Sequence, residues 1–324
     1  METRTLGRTG RKVSVVGLGA WQIGDAWGTV PEDDARDVVR SALSAGMTLI
    51  DTADVYGDGR SERIVGAAVA GSDVFVATKM GRRVEQRPEY YTIANFRAWT
   101  DRSRELLGVE SLDLVQLHCP PDPVFEDDAV FDALDTLVDD GAIHAYGVSV
   151  ETCAQALAAI ARPRVASVQI ILNCFRQKPL DEVLPAAREA GVGIIARVPL
   201  ASGLLSGRYD ESTTFPSDDH RNYNRHGESF DVGETFAGVP YEVGVAAARE
   251  LASLVPNGVT MAQFALRWII DQPGVTTVIP GARNGDQVRA NAAAADVAAL
   301  SDEQRAGVRD VYDRLIRPHV HHRW

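Results

Sequence analysis

Residues 74–79 read Val-Phe-Val-Ala-Thr-Lys, a short uncharged run closed by a lysine. A run this brief, apolar on both alternating faces and rich in β-branched residues, suits a strand covered on both sides, as in a parallel sheet. The same pattern recurs at 15–18, 48–51, 112–118, 145–149, 166–172, 193–198 and 276–280. Between these runs lie helical patterns at 33–45, 95–107, 128–139, 152–160, 181–190 and 287–294. Such alternation marks βα units. Eight units predict a closed (β/α)₈ TIM barrel, a fold that takes roughly 200 to 400 residues; the chain has 324.

No Pro/Gly/Ser-rich linker divides the chain, which predicts one domain over 1–324. Residues 2–13, with Gly7 and Thr9-Gly10 at the turns, read as an N-terminal β-hairpin. The stretch 208–241 follows the seventh run and is polar, interrupted by Gly and Pro, and without period. It is expected to be a long loop with few apolar anchors that orders over a bound ligand as a lid.

Hydrophobic residues make up 45% of the chain and charged residues 24%, an ordinary globular balance. The formal net charge of −12 repels polyanions, so nucleic acid is not an expected partner. No run approaches the roughly 18 apolar residues that span a bilayer, and the first 13 residues lack an apolar signal core. No membrane partner and a cytoplasmic location follow as expectations, with a monomer or weak homo-oligomer as the assembly. Cys119, Cys153 and Cys174 have no paired spacing and are read as reduced packing residues.

In a (β/α)₈ barrel the reactive groups sit where strands end, so polar residues closing apolar runs are the ones to inspect. Asp51, Lys79 and His118 close the second, third and fourth runs, and Tyr56 follows Asp51 in its loop. Singly, each has an ordinary role: an Asp after a strand usually caps a turn, and a lone Tyr or His usually packs. Lys79 is harder to dismiss. Of 33 basic residues only Lys12, Lys79 and Lys178 are lysine, so a lysine ending a core strand suggests a task that a guanidinium cannot perform.

The stretch Ile50-Asp51-Thr52-Ala53-Asp54-Val55-Tyr56-Gly57, then Ala77-Thr78-Lys79, then Asp113-Leu114-Val115-Gln116-Leu117-His118, resembles the aldo-keto reductase family in order, strand context and spacing. It looks closest to the bacterial stress-type branch. The resemblance implies an oxidoreductase that reduces an aldehyde or ketone, a small-molecule carbonyl substrate, with Tyr56 as general acid. Lys79 would lower the Tyr56 pKa, Asp51 would hold Lys79 charged, and His118 would bond the carbonyl oxygen.

It also implies NADP (NADPH) as cofactor, with NAD the alternative. Ser149 and Gln169 would hold the nicotinamide, although Val150 stands where the family's pattern has Asn. Arg197 takes the place of a stacking aromatic, its planar guanidinium able to stack in turn. Pro199, Leu200, Ser202, Gly203, Leu204 and Gly281 would receive the pyrophosphate, Arg283 the 2′-phosphate, and Gln287 with Asn291 the adenine. Trp21 and Trp27 are the candidate substrate residues. Tyr90, Tyr91, His220, Tyr223 and Phe230 are further wall candidates.

Two other readings stand beside this one. A lysine ending a barrel strand also suits a Schiff-base aldolase using Lys79. A nucleotide-sensing regulatory subunit with little turnover is the non-enzymatic alternative. No His-x-His pair ends a run, so no metal is expected.

Overall fold

The computed structural model describes residues 1–24 and 30–324. Eight parallel strands form one sheet: β3 (Leu18–Gly19), β4 (Leu49–Asp51), β5 (Phe75–Met80), β6 (Leu114–His118), β7 (Tyr146–Ser149), β8 (Val165–Ile171), β9 (Gly193–Arg197) and β10 (Val275–Val278). Each pairs with its sequence neighbour. Bridges Val16–Val278 and Gly19–Gly281 join the first strand to the last, so the sheet closes into a barrel. The strands are buried on both faces, as their unbroken apolar runs require.

Two short antiparallel strands, β1 (Thr3–Thr5) and β2 (Lys12–Ser14), form the expected hairpin. It plugs the N-terminal mouth: Leu6 and Val13 pack with Leu49, Phe75, Leu114, Ile195 and Ile279 in a small closed cluster. Gly7 is required there, because a Cβ would stand 2.1 Å from the Ala166 carbonyl oxygen. With one end sealed, ligand access is from the C-terminal face.

Local chemistry sets the helices of the outer ring. The helix Glu32–Ser44 opens on Glu32, Asp33 and Asp34, which complement its N-terminal dipole, and Gly46 turns left-handed (φ +80°) just past its end. Capping boxes start Cys153–Ile160 at Thr152 and Met261–Ile270 at Thr260. The helices Arg60–Val69, Tyr241–Ala252, Met261–Ile270 and Asp302–Val311 are outside the sequence expectation. Among the described residues no helix is long and apolar enough to cross a membrane.

The segment 208–241 departs from its expectation in one respect. It is not poor in anchors: Phe236, Ala237, Val239 and Tyr241 are buried, and Phe215 meets Tyr209, Phe236 and Tyr241 ring to ring. Arg221 and Arg225 insert guanidiniums among those rings, at 4.5 Å from Phe215 and 5.0 Å from Tyr241. Cation–π contacts therefore do the anchoring that aliphatic periodicity usually does, so a hydrophobicity reading passes over them.

Candidate active site

Strand ends at the open mouth bring the four sequence-predicted groups together. β4 delivers Asp51, β5 Lys79 and β6 His118, while Tyr56 returns over them from the turn after β4. Lys79 Nζ donates to Asp51 Oδ1 at 2.5 Å, to the Thr52 carbonyl at 2.8 Å and to Tyr56 Oη at 3.3 Å. An ammonium has three donors, and all three are directed. The His118 ring meets the Tyr56 ring edge-on at 5.9 Å.

The electrostatics follow from burial. For Lys79, burial pulls the ammonium down, but Asp51 and Tyr56 outweigh it and leave the group above the ordinary lysine value. For Tyr56, burial raises the phenol; Lys79 acts on it in the expected direction, and burial outweighs it. His118 is held well below the ordinary histidine value, first by burial and then by the charges of Arg82, Lys79 and Arg197. It is a neutral imidazole, and its Nδ1 is buried with no hydrogen-bond partner among the described residues.

Gln169 faces the floor of this site. Its Nε2 donates to Asp51 Oδ2 at 2.7 Å and to Gln116 Oε1 at 3.2 Å, and Gln116 itself donates to Asp51 Oδ2 at 3.1 Å. Two amides thus hold the carboxylate whose other oxygen holds Lys79. Gln116 is absent from the sequence-based assignment, although a fully buried Gln inside Leu114-Val115-Gln116-Leu117 is a legible signal. Ser149 is buried with its hydroxyl 3.5 Å from Cys119 Sγ.

Arg197 lies in a buried charge network whose other members, Arg82, Glu151 and Glu234, sequence reasoning missed. It donates to the Val150 carbonyl at 3.0 Å and Glu151 Oε2 at 2.8 Å, and stands 3.5 Å from Glu234 Oε1. Arg82 bridges the same two carboxylates at 3.3 and 3.5 Å. Cys119, Glu151 and Glu234 bring ligand atoms within 4.8 Å of one another, but the two guanidiniums already neutralise both carboxylates. The donor set suits ion pairing better than a divalent cation.

The proposed phosphate loops occupy the same face. After β9, Val198, Ala201, Ser202 and Gly203 all take positive φ, turning the backbone sharply at Pro199, Leu200 and Leu204. Ser202 Oγ donates to the Glu234 carbonyl and accepts from the Phe236 amide, both at 3.1 Å, so its hydroxyl is engaged in holding the long segment. After β10, Gln287 accepts from the Arg283 amide at 2.8 Å and Asn291 donates to the Gly281 carbonyl at 3.2 Å. Both side chains shape the loop from within. The Arg283 side chain is exposed at its edge. Gln22, also missed from sequence, packs on Gly281, where a Cβ would stand 2.0 Å from its amide, and its Oε1 is buried without a partner among the described residues.

Aromatic rings wall the mouth. Trp21 stacks with Tyr56 at 6.3 Å, tilts on His220 at 5.0 Å and meets Phe230 at 5.9 Å; Tyr223 meets Phe230 at 6.3 Å. Trp27 lies outside the described residues. Tyr91 is buried against Phe96, a packing role, while Tyr90 is exposed. The three cysteines are free and buried, as expected.

A model of the aldo/keto reductase family matches residues 15–313. Over 299 residues the chain is 32% identical to the aldo-keto reductase YhdN of Bacillus subtilis, covering 90% of this chain and 87% of that protein. A glycerol dehydrogenase structure from Gluconobacter oxydans superposes with a TM-score of 0.77 at 33% identity, over 96% of this chain and 94% of the other. An aldo/keto reductase from Klebsiella pneumoniae, solved in complex with NADP and acetate, gives a TM-score of 0.70 at 25% identity over 96% and 95%.

Proposed function

Because the chain belongs to the aldo/keto reductase family, we propose that it is an NADP-dependent enzyme of 1–324, one cytoplasmic domain, that reduces a small aldehyde or ketone to an alcohol. The observation that carries the reading is the directed Lys79 ammonium, with Asp51 behind it at 2.5 Å and Tyr56 Oη before it at 3.3 Å. Tyr56 donates its proton to the carbonyl oxygen as negative charge develops there. Lys79 stabilises the phenolate left behind, and Asp51 with Gln116 and Gln169 keeps Lys79 charged and in place. Neutral His118 donates a hydrogen bond to the same oxygen and orients it.

Bound NADPH supplies the hydride. The residues fit such a dinucleotide: positive φ at Val198, Ala201, Ser202 and Gly203 turns the chain sharply at the mouth, the buried Gln22 Oε1 beside Gly281 lacks a partner among the described residues, and the Arg283 guanidinium is exposed for a 2′-phosphate. Arg197, held by Glu151, Glu234 and the Val150 carbonyl, would border the nicotinamide. A Schiff-base role for Lys79 is disfavoured, since a lysine held charged by Asp51 is a poor nucleophile.

The test is a panel of aldehydes, ketones and sugars with NADPH and with NADH, followed by absorbance of the reduced cofactor. Turnover of at least one carbonyl with NADPH supports the reading. Cofactor binding without turnover of any carbonyl would favour a nucleotide-sensing subunit.

A further inference from the structure

Trp324 and the stretch 230–238 are built into one another. The indole is 5% exposed, and its Nε1 donates to Asp231 Oδ1 at 3.1 Å. The Arg176 guanidinium lies 3.5 Å over the ring. Gly238 (φ +78°) rests on the same indole: a Cβ there would stand 2.3 Å from its nearest ring carbon. Arg176, 2% exposed, donates to the Ala237 carbonyl at 3.3 Å and backs Gly233, where a Cβ would stand 3.0 Å from its Nη1. Indole and guanidinium together form the bed on which this backbone lies.

The other side of the same stretch faces the site. Phe230 meets Trp21 nearly edge-on at 5.9 Å, and Trp21 lies over Tyr56. Glu234 stands 3.5 Å from both Arg82 and Arg197. Phe230 is only partly buried; its amide donates to Asn224 Oδ1 at 2.9 Å, and besides Trp21 its ring meets His220 at 6.4 Å and Tyr223 at 6.3 Å, so it moves only if the backbone that carries it moves. The residue that follows it, Asp231, is the one tied to Trp324.

We propose that Trp324 is a specificity-determining positioning residue: by holding Asp231 it fixes Phe230 against Trp21, and so sets the aromatic wall that a ring-bearing carbonyl substrate meets beside Tyr56. Removing the indole takes away the largest side chain under the stretch and the donor to Asp231 together, so the backbone at 230–238 loses its bed. Ring-on-ring contact depends on centroid distance and tilt, and a displaced Phe230 forfeits it. A small acyclic aldehyde does not reach the wall and is indifferent to the change. The proposal rests on the reductase reading above.

The test compares wild type, Trp324→Ala, Trp324→Phe and Asp231→Ala, each checked for folding by thermal melt. Hydrogen exchange is followed at 230–238, with NADPH affinity and steady-state kinetics on benzaldehyde and on glyceraldehyde. In Trp324→Ala, exchange at 230–238 is expected to accelerate at least tenfold. At saturating NADPH its kcat/KM for benzaldehyde should fall at least tenfold through KM, with glyceraldehyde within threefold. Trp324→Phe, which keeps a ring under Arg176 and loses the N–H, should fall between. Equal losses on both aldehydes, or an unchanged ratio, would overturn the proposal. Should Trp324→Ala fail to fold, Asp231→Ala decides: its ratio must move in the same direction. If wild type reduces neither aldehyde the reductase reading fails, while the exchange data still decide whether Trp324 holds the stretch.

Discussion

Lys79 Nζ and Asp51 Oδ1 stand 2.5 Å apart with both side chains buried, and the only other directed contacts of the ammonium among the described residues are the Thr52 carbonyl and Tyr56 Oη. Burial opposes the charge on Lys79, and Asp51 is the chief group opposing burial. Asp51→Asn should therefore lower the Lys79 pKa, so that reductase activity declines with rising pH earlier than in wild type. Lys79→Arg should be nearly inactive, by about 100-fold or more, because a planar fork does not fit an ammonium's place. Steady-state kinetics on both variants, from pH 6 to 9, check this.

His118 is neutral and Tyr56 is held above the ordinary phenol value. Tyr56 must carry its proton to donate it, and a raised value keeps it protonated through the neutral range. For carbonyl reduction, kcat/KM at saturating NADPH should thus be flat between about pH 6 and 9, with no limb near the ordinary histidine value of about 6.5. A limb there that disappears in His118→Asn would contradict a His118 held well below the ordinary histidine value.

Much of this was legible in the sequence because barrels write themselves as apolar runs ending in polar residues. All eight runs became strands within a few residues of the expected bounds, and the polar ends of three converge with Tyr56. What escaped was long-range pairing. Arg82, Glu151, Arg197 and Glu234 are drawn from four loops or strand ends, and nothing local in Gly81-Arg82-Arg83 marks one arginine for burial. The helix Arg60–Val69 was hidden by Gly66 in its middle; a Cβ there would stand 2.4 Å from the Leu107 carbonyl oxygen, so close helix packing demanded a glycine.

Arg283 offers its guanidinium at the edge of the proposed dinucleotide cleft. Arg283→Ala should weaken NADPH binding by roughly 1.5 to 3 kcal/mol, the scale of one charge-assisted contact, and leave NADH binding nearly unchanged. Fluorescence titration with both cofactors checks it; equal losses would show that Arg283 does not read the 2′-phosphate.

Asp54 is 1% exposed, and both its carboxylate oxygens lack a hydrogen-bond partner among the described residues. Burial first, and then the charge of Glu62, pushes its carboxyl up to about 7. An aspartate in the unfolded chain releases its proton near pH 4, so the folded state is disfavoured progressively as pH rises from about 4 to 7, and the cost persists above. Each unit of displacement corresponds to about 1.4 kcal/mol. Asp54→Asn should therefore raise the melting temperature more at pH 8 than at pH 5, by roughly 2 °C or more. Equal melting shifts at the two pH values would contradict this.

The central claim is that Tyr56 gives the proton. Tyr56→Phe removes one oxygen and its hydrogen and keeps the ring that Trp21 stacks on. The decisive measurement is carbonyl reduction by this variant alongside its NADPH dissociation constant. General acid catalysis is typically worth about 10²- to 10⁴-fold, so turnover should drop by at least 100-fold while cofactor affinity stays within about twofold. A variant that binds NADPH normally and keeps more than about a tenth of wild-type turnover would contradict the account.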